Sequence, residues 1–151
     1  EMLLAIDIGN TSISFGLFKG KSLFQRWDTR GNSCKSAKEC YFILKDLIEA
    51  KTHRVLALTN WSQETFPVAL GLYDFLHWFE GIVVSGDEKL IKPDPKIYQV
   101  LFDRYEVDPS TAVFIDDNIK NVKGAEAVNM HAIHFQSPEL LKESFGKLGI
   151  L

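Results

Sequence analysis

Apolar and polar positions along the chain follow two regimes, with the change near residue 50. In the front regime Leu3-Leu4-Ala5-Ile6 is a nearly continuous apolar run ending on Asp7, the pattern of a strand buried on both faces, as in parallel sheets. Gly9-Asn10 supplies turn chemistry. Ile13, Phe15 and Leu17 then alternate with Ser14, Gly16 and Phe18, and after Gly20-Lys21 the stretch Leu23 to Trp27 reads as a further strand. These signals predict a meander of three antiparallel strands. Gly31 to Lys35 is a polar connector, and Ser36 with Glu39 makes a capping box for a helix to about Ala50. Tyr41, Leu44, Leu47 and Ile48 fall on one helical face and are expected in the core.

Beyond residue 50 short apolar runs alternate with helical periods. Strands are predicted over Arg54–Leu58, Gly81–Ser85, Ala112–Ile115 and His131–Phe135, and helices over Ser62–Phe75, Asp94–Tyr105, Ile119–Val128 and Pro138–Lys147. Asp94-Pro95 and Ser137-Pro138 each place a capping side chain before a proline at the first helical position. Such alternation predicts a mostly parallel α/β sheet with helices on both faces, a three-layer arrangement. At 151 residues the chain is expected to form a single domain, with residues 2–34 as its β-meander segment and 36–151 as its α/β segment.

Hydrophobic residues make up 46% and charged residues 25%, the balance of a folded globular protein. A formal net charge of -3 provides no electrostatic footprint for nucleic acid or an anionic membrane, so neither is expected as a partner. No apolar run approaches the ~18 residues of a membrane span, and no signal-peptide pattern opens the chain. A cytoplasmic location is therefore expected, with Cys34 and Cys40 as reduced thiols.

Candidate chemistry gathers where an open α/β sheet places its ligands, just past the carboxyl ends of strands. Asp7 ends the first strand, Thr59-Asn60 end the next parallel one, Asp116-Asp117 follow Val113-Phe114-Ile115, and Lys92 lies in the loop after another strand. Carboxylates from neighbouring strand ends suit Mg²⁺, a hard cation with oxygen ligands. A hydroxyl, an amide and an ammonium nearby suit a phosphoryl group and its developing charge. Strand-end aspartates also serve as helix caps, so Asp116-Asp117 have a purely structural alternative. His131 and His134, three apart on a strand, point to opposite faces and do not make a metal pair. Phe66, Phe75, Trp78 and Phe79 are read as core or surface-facing aromatics rather than a stacking platform.

Three stretches strengthen the phosphoryl reading. Leu58-Thr59-Asn60-Trp61-Ser62, Lys92-Pro93-Asp94-Pro95-Lys96-Ile97-Tyr98 and Val113-Phe114-Ile115-Asp116-Asp117-Asn118, with Ala125 to Met130 after them, occur in this order. The set resembles the second, third and fourth motifs of the haloacid dehalogenase superfamily, in its branch of small phosphatases and dehalogenases, over about residues 52–150. The resemblance implies a hydrolase core with sheet order 3-2-1-4-5. It implies phosphate binding by Thr11, Thr59, Asn60 and Lys92, and Mg²⁺ held around Asp7, Gly9, Asp116 and Asp117. That family opens on Asp-x-Asp-x-Thr, and here Asp7-Ile8-Gly9-Asn10-Thr11 keeps the nucleophile position at Asp7 and puts Gly9 where the general acid/base stands. Asp7, Thr59 and Lys92 would be the catalytic set. Relatives usually carry a helical cap before the Thr59 strand, and Thr29 to Ser36 leaves no room for one. An uncapped site can be covered by a second copy, so a homodimer is one arrangement the sequence allows, with the oligomeric state left open.

The front segment resembles something else. Leu3 to Thr11, with Phe15-Gly16-Leu17-Phe18 and Trp27, is similar to the opening of a type III pantothenate kinase over about residues 2–34. In that family the Asp-x-Gly-Asn-Thr turn handles ATP phosphates. Two family signatures meeting near residues 30–50 suggest a recombined or engineered chimera. The expected function is thus Mg²⁺-dependent hydrolysis of a small phosphorylated molecule through an aspartyl-phosphate, weakened by the loss of the acid/base at Gly9. The alternatives are a chimeric fold without significant activity and a nucleotide-binding module built on the kinase-like turn.

Overall fold

A computed structural model describes residues 3–6, 17–19, 22–25, 42–43 and 45–150. A five-stranded sheet runs in the order β5-β4-β1-β6-β7, where β1 is Leu3–Ile6, β4 Arg54–Thr59, β5 Gly81–Val84, β6 Ala112–Asp116 and β7 His131–His134. Every pairing in it is parallel. Strand β1 lies at the centre, with Leu3 to Ile6 beside Arg54 to Ala57 on one side and Ala112 to Ile115 on the other. This corrects the meander expected at the front of the chain. Among the described residues only β2 (Leu17–Lys19) and β3 (Ser22–Gln25) pair antiparallel, as a hairpin in a separate two-stranded sheet. An unbroken apolar run such as Leu3-Leu4-Ala5-Ile6 gains most at the middle of a parallel sheet, where both of its faces are covered.

Alternate residues of β4 and β6 project to opposite faces of the sheet, and the core divides accordingly. Leu56, Leu58 and Phe114 pack with Ile97, Tyr98, Leu101 and Ala125 from α4 (Pro95–Tyr105) and α5 (Ile119–Ala127). On the other face Val55 and Ala57 meet Phe66 and Ala69 of α2 (Phe66–Leu72), together with Leu76 and Phe79. Also on that face, Val113 and Ile115 meet Ile43 and Leu47 of α1 (a helix over 42–43 and 45–50) and Leu141 and Phe145 of α6 (Pro138–Leu148). Each large side chain buried in this way contributes roughly 1.5–3 kcal/mol. Tyr41 and Leu44, expected on the core face of α1, lie outside the described residues, as do Cys34 and Cys40.

Local chemistry sets the helix ends. Asp94 accepts the Lys96 N–H at 2.9 Å and Ser137 accepts that of Leu140 at 3.2 Å, each just ahead of a proline. The predicted helix Ser62–Phe75 is shorter in the structure. Ser62 Oγ accepts the Thr65 N–H at 3.2 Å and meets the Thr65 hydroxyl at 2.6 Å, so hydroxyl bonding holds residues 62–65 in a turn. Pro67, without an N–H, sits in the first turn of α2, where none is needed. Tyr73 is extended, and Asp74–Trp78 continues as a 3-10 turn. Ser85–Glu88, read from sequence as a strand end and a loop, is a helical turn, α3, closed by Lys89 in the left-handed region at φ 57°. Among the described residues no helix is long and apolar enough to cross a membrane.

Candidate functional site

The carboxyl ends of β4 and β6 converge with the loop between α3 and α4 on a buried polar cluster. Thr59, the last residue of β4, is fully buried, and Asp116, the last residue of β6, is 1% exposed. Lys92 enters from the loop and is also buried. Its ammonium donates to Asp116 Oδ2 at 3.0 Å and to the Leu58 carbonyl at 2.8 Å, 5.6 Å from the centre of the Phe114 ring. An ion pair taken out of water is tolerated only when its remaining polar capacity is also satisfied. Asp116 meets that condition: Asn118 N–H reaches Oδ1 at 2.7 Å and Asn121 Nδ2 reaches Oδ2 at 2.9 Å.

Asn118, and not either aspartate, caps α5, accepting the Lys120 N–H at 3.0 Å. The structural alternative for Asp116 as a helix cap is thereby overturned, and its carboxylate is turned toward Lys92. Asn121 escaped the sequence reading. It stands three residues into α5 after the capping Asn118, a position from which a side chain reaches back to the segment before the helix, and that spacing is the signal that finds it. The hydroxyl of Tyr98 donates to the Asn121 carbonyl at 2.8 Å, fixing α4 against the same turn.

Asn60 sits beside Thr59 but turns its carboxamide to the main chain of Lys92. Its Oδ1 accepts the Lys92 N–H at 2.9 Å and its Nδ2 donates to the Lys92 carbonyl at 3.2 Å. In this arrangement the carboxamide holds the loop that carries Lys92. Ser85 is a second residue the sequence did not single out: its hydroxyl accepts the Trp61 N–H at 2.9 Å and donates to the Trp61 carbonyl at 3.1 Å.

Asp117 is half-buried, and its main-chain carbonyl accepts from His134 Nε2 at 3.0 Å. Asp7, Gly9 and Thr11 lie outside the described residues. Among the described residues no three His, Cys, Asp or Glu side chains gather as a cation site. The donors present fit a hard cation in kind. On Asp116, Oδ2 receives two hydrogen bonds and Oδ1 one, so Oδ1 keeps acceptor capacity for a metal that favours oxygen. His131 and His134 are exposed at the two ends of β7. Phe66 and Phe79 are buried in the core, while Phe75 is half-buried and stacks on Tyr73 at 6.3 Å. No base-stacking platform forms from them.

The sequence profile of the haloacid dehalogenase-like hydrolases matches residues 9–135, a span that begins within the front segment and crosses the region of the suggested junction. The mouse N-acylneuraminate-9-phosphatase is 30% identical over 111 residues, covering 62% of this chain and 45% of that protein. The chain spans less than half the length of the curated relatives it matches. Among solved structures, an uncharacterised protein from Corynebacterium glutamicum superposes with a TM-score of 0.68 at 16% identity, over 99% of this chain and 96% of that one. A haloacid dehalogenase family enzyme from Bacteroides thetaiotaomicron, solved with magnesium and inorganic phosphate, gives a TM-score of 0.57 at 21% identity, over 64% of this chain and 53% of its own. Both likenesses are of fold, an α/β sheet of Rossmann type. The profile covers most of the chain, and the buried Lys92–Asp116 pair lies within it: this chain belongs to the haloacid dehalogenase-like hydrolases.

Proposed function

We propose that the chain hydrolyses phosphomonoesters in a Mg²⁺-dependent reaction with Asp7 as nucleophile. The observation that carries this reading is the buried Lys92–Asp116 pair at the carboxyl ends of the strands flanking β1, its ammonium on the carbonyl of Leu58, the neighbour of the buried Thr59. Ile6, the last described residue of β1, pairs with Ala57 and Ile115. Lys92 donates to the carbonyl of Leu58, the residue after Ala57, and Asp116 is the residue after Ile115.

In this mechanism the Asp7 carboxylate attacks phosphorus, the bond to the leaving-group oxygen breaks, and an aspartyl-phosphate forms. Water then attacks that phosphorus, releasing inorganic phosphate and restoring the carboxylate. The Thr59 hydroxyl and the Lys92 ammonium bind the phosphoryl oxygens where negative charge develops. Asp7, Gly9, Asp116 and Asp117 would hold Mg²⁺, which when bound offsets the charge of the phosphoryl oxygens. Gly9 offers no proton to the leaving group, and loss of a general acid costs about 10²–10⁴-fold. Turnover should therefore be slow and should favour leaving groups that depart as stable anions. The phosphatase named among the relatives and the magnesium and phosphate of the Bacteroides enzyme support this reaction class.

Hydrolysis of an aryl phosphate, measured with and without Mg²⁺, tests the reading. Turnover that requires Mg²⁺ and vanishes in Asp7→Asn is expected. Absence of turnover, or turnover indifferent to Asp7, overturns it. A rise in melting temperature with Mg²⁺-ATP, without hydrolysis, would favour the nucleotide-binding alternative instead.

A further inference from the structure

Lys92 is useful only if its ammonium is placed to a fraction of an ångström, yet its side chain has four rotatable bonds and its main chain belongs to a loop. The ammonium end is fixed by Asp116 and the Leu58 carbonyl. The main-chain end is fixed from 32 residues away, by both ends of the Asn60 carboxamide. The same loop, 85–92, is tied to the residues after β4 at further points. Ser85 exchanges two hydrogen bonds with Trp61, Gly86 N–H reaches the Trp61 carbonyl at 2.9 Å, and Lys89 reaches Gln63 Oε1 at 2.9 Å. Asn60 is the clamp nearest the site, because it is the neighbour of Thr59 and grips Lys92 itself.

We infer that Asn60 is a positioning residue that sets the Lys92 ammonium, acting through the main chain of Lys92 and not as a phosphate ligand. The inference deepens the phosphatase reading, and its kinetic consequences rest on that reading; the placement of the ammonium does not. Freed from Asn60, the main chain of Lys92 shifts, and the ammonium moves off the axis that Asp116 and Leu58 define. Misplacement of a reacting group by ~1 Å costs about 10²-fold in rate.

Two measurements on the full chain test this. The first is the ¹⁵N spectrum of the lysine ammonium groups, visible where burial and hydrogen bonding slow proton exchange. One protected ammonium signal is expected, absent from Lys92→Met, lost in Asn60→Ala and broadened in Asn60→Asp, which keeps an acceptor for the Lys92 N–H but has no donor for its carbonyl. The second is aryl phosphate hydrolysis in a double-mutant cycle. Asn60→Ala should lower kcat by about 10²-fold in the parent, and by less than about two-fold in Lys92→Met, the scatter of independent sites. A protected signal unchanged in either Asn60 variant overturns the inference, as does a parent without one, and so does an equal rate loss in both backgrounds, which would mark Asn60 as acting on substrate directly. If the parent has no phosphatase activity, the proposed reaction falls and the ammonium spectrum alone decides the placement. If Asn60→Ala does not fold, the same comparisons are read from Asn60→Asp, where both effects are expected to be smaller and their absence overturns the inference.

Discussion

Two ion pairs anchor opposite ends of β4 and its neighbours, and they do different work. At the carboxyl end Lys92 meets Asp116 at 3.0 Å with side-chain exposures of 1% and 0%. At the amino end Arg54 meets Glu80 at 2.6 Å with exposures of 32% and 44%, and also donates to the Tyr105 carbonyl at 2.8 Å. Distance alone would rank the surface pair as the stronger. Water reverses the order of consequences. The exposed pair is screened, and either partner can return to solvent if the other is removed. The buried pair cannot, so removing one partner strands a charge in a dry site. The surface pair joins the starts of neighbouring elements, whereas the buried pair ties the ends of β4 and β6 to the loop that carries Lys92.

The largest expected effect comes from stranding the buried charge. Lys92→Met should lower stability by about 3–5 kcal/mol in metal-free buffer, read by urea unfolding, and lower Mg²⁺-dependent turnover sharply while leaving a measurable residue. Adding Asp116→Asn should recover much of the stability and none of the activity. If Lys92→Met alone is as stable as the parent, the contrast between the two ends fails.

A smaller effect is expected from prising the clamped loops apart. A Cβ on Gly86 would meet main-chain atoms of Trp61, Ser62 and Gln63, and main-chain atoms do not step aside as a flexible side chain can. Gly86→Ala should cost about 1–3 kcal/mol, the usual range for overpacking, and should lower kcat through the displaced loop. Unchanged kinetics with lowered stability would show that the loop around Lys92 absorbs the shift.

The smallest effect belongs to the surface pair. Arg54→Ala should cost about 0–1 kcal/mol and leave hydrolysis unaltered. Its signature is in the pH dependence. The Arg54 hydrogen bond holds the Glu80 carboxyl below its ordinary value of 4.5, with slight burial opposing and the charge of Arg54 assisting. A carboxyl lowered in the folded state contributes stability above its ordinary value and loses it as pH falls through the folded one. The parent should therefore lose more stability than Arg54→Ala on acidification from about pH 5 to below the ordinary carboxyl range. Parallel curves would show that the pair adds nothing.

Much of the site was legible because its residues sit at the ends of apolar runs. Thr59 closes Val55 to Leu58, and Asp116 closes Ala112 to Ile115, and in each case the burial of the run carries its last polar residue into the sheet. The caps at Asp94 and Ser137 were equally plain, since side chain and proline act within one turn of each other. What misled was local pattern without its partners. The alternating residues after Asp7 suggested that β1 opens a meander, whereas it pairs parallel with β4 and β6.

The sequence by itself determined the alternation of strands and helices, their capping, and which polar residues stand at the strand ends, because these follow from side chains within a few positions of one another. Only the tertiary structure decided that Asn60 faces Lys92 and that Ser85 closes on Trp61. Those partners are 24 to 32 residues apart. A hydrogen bond reaches about 3 Å, so whether such groups meet depends on the register of a whole sheet and on the path of every loop between them.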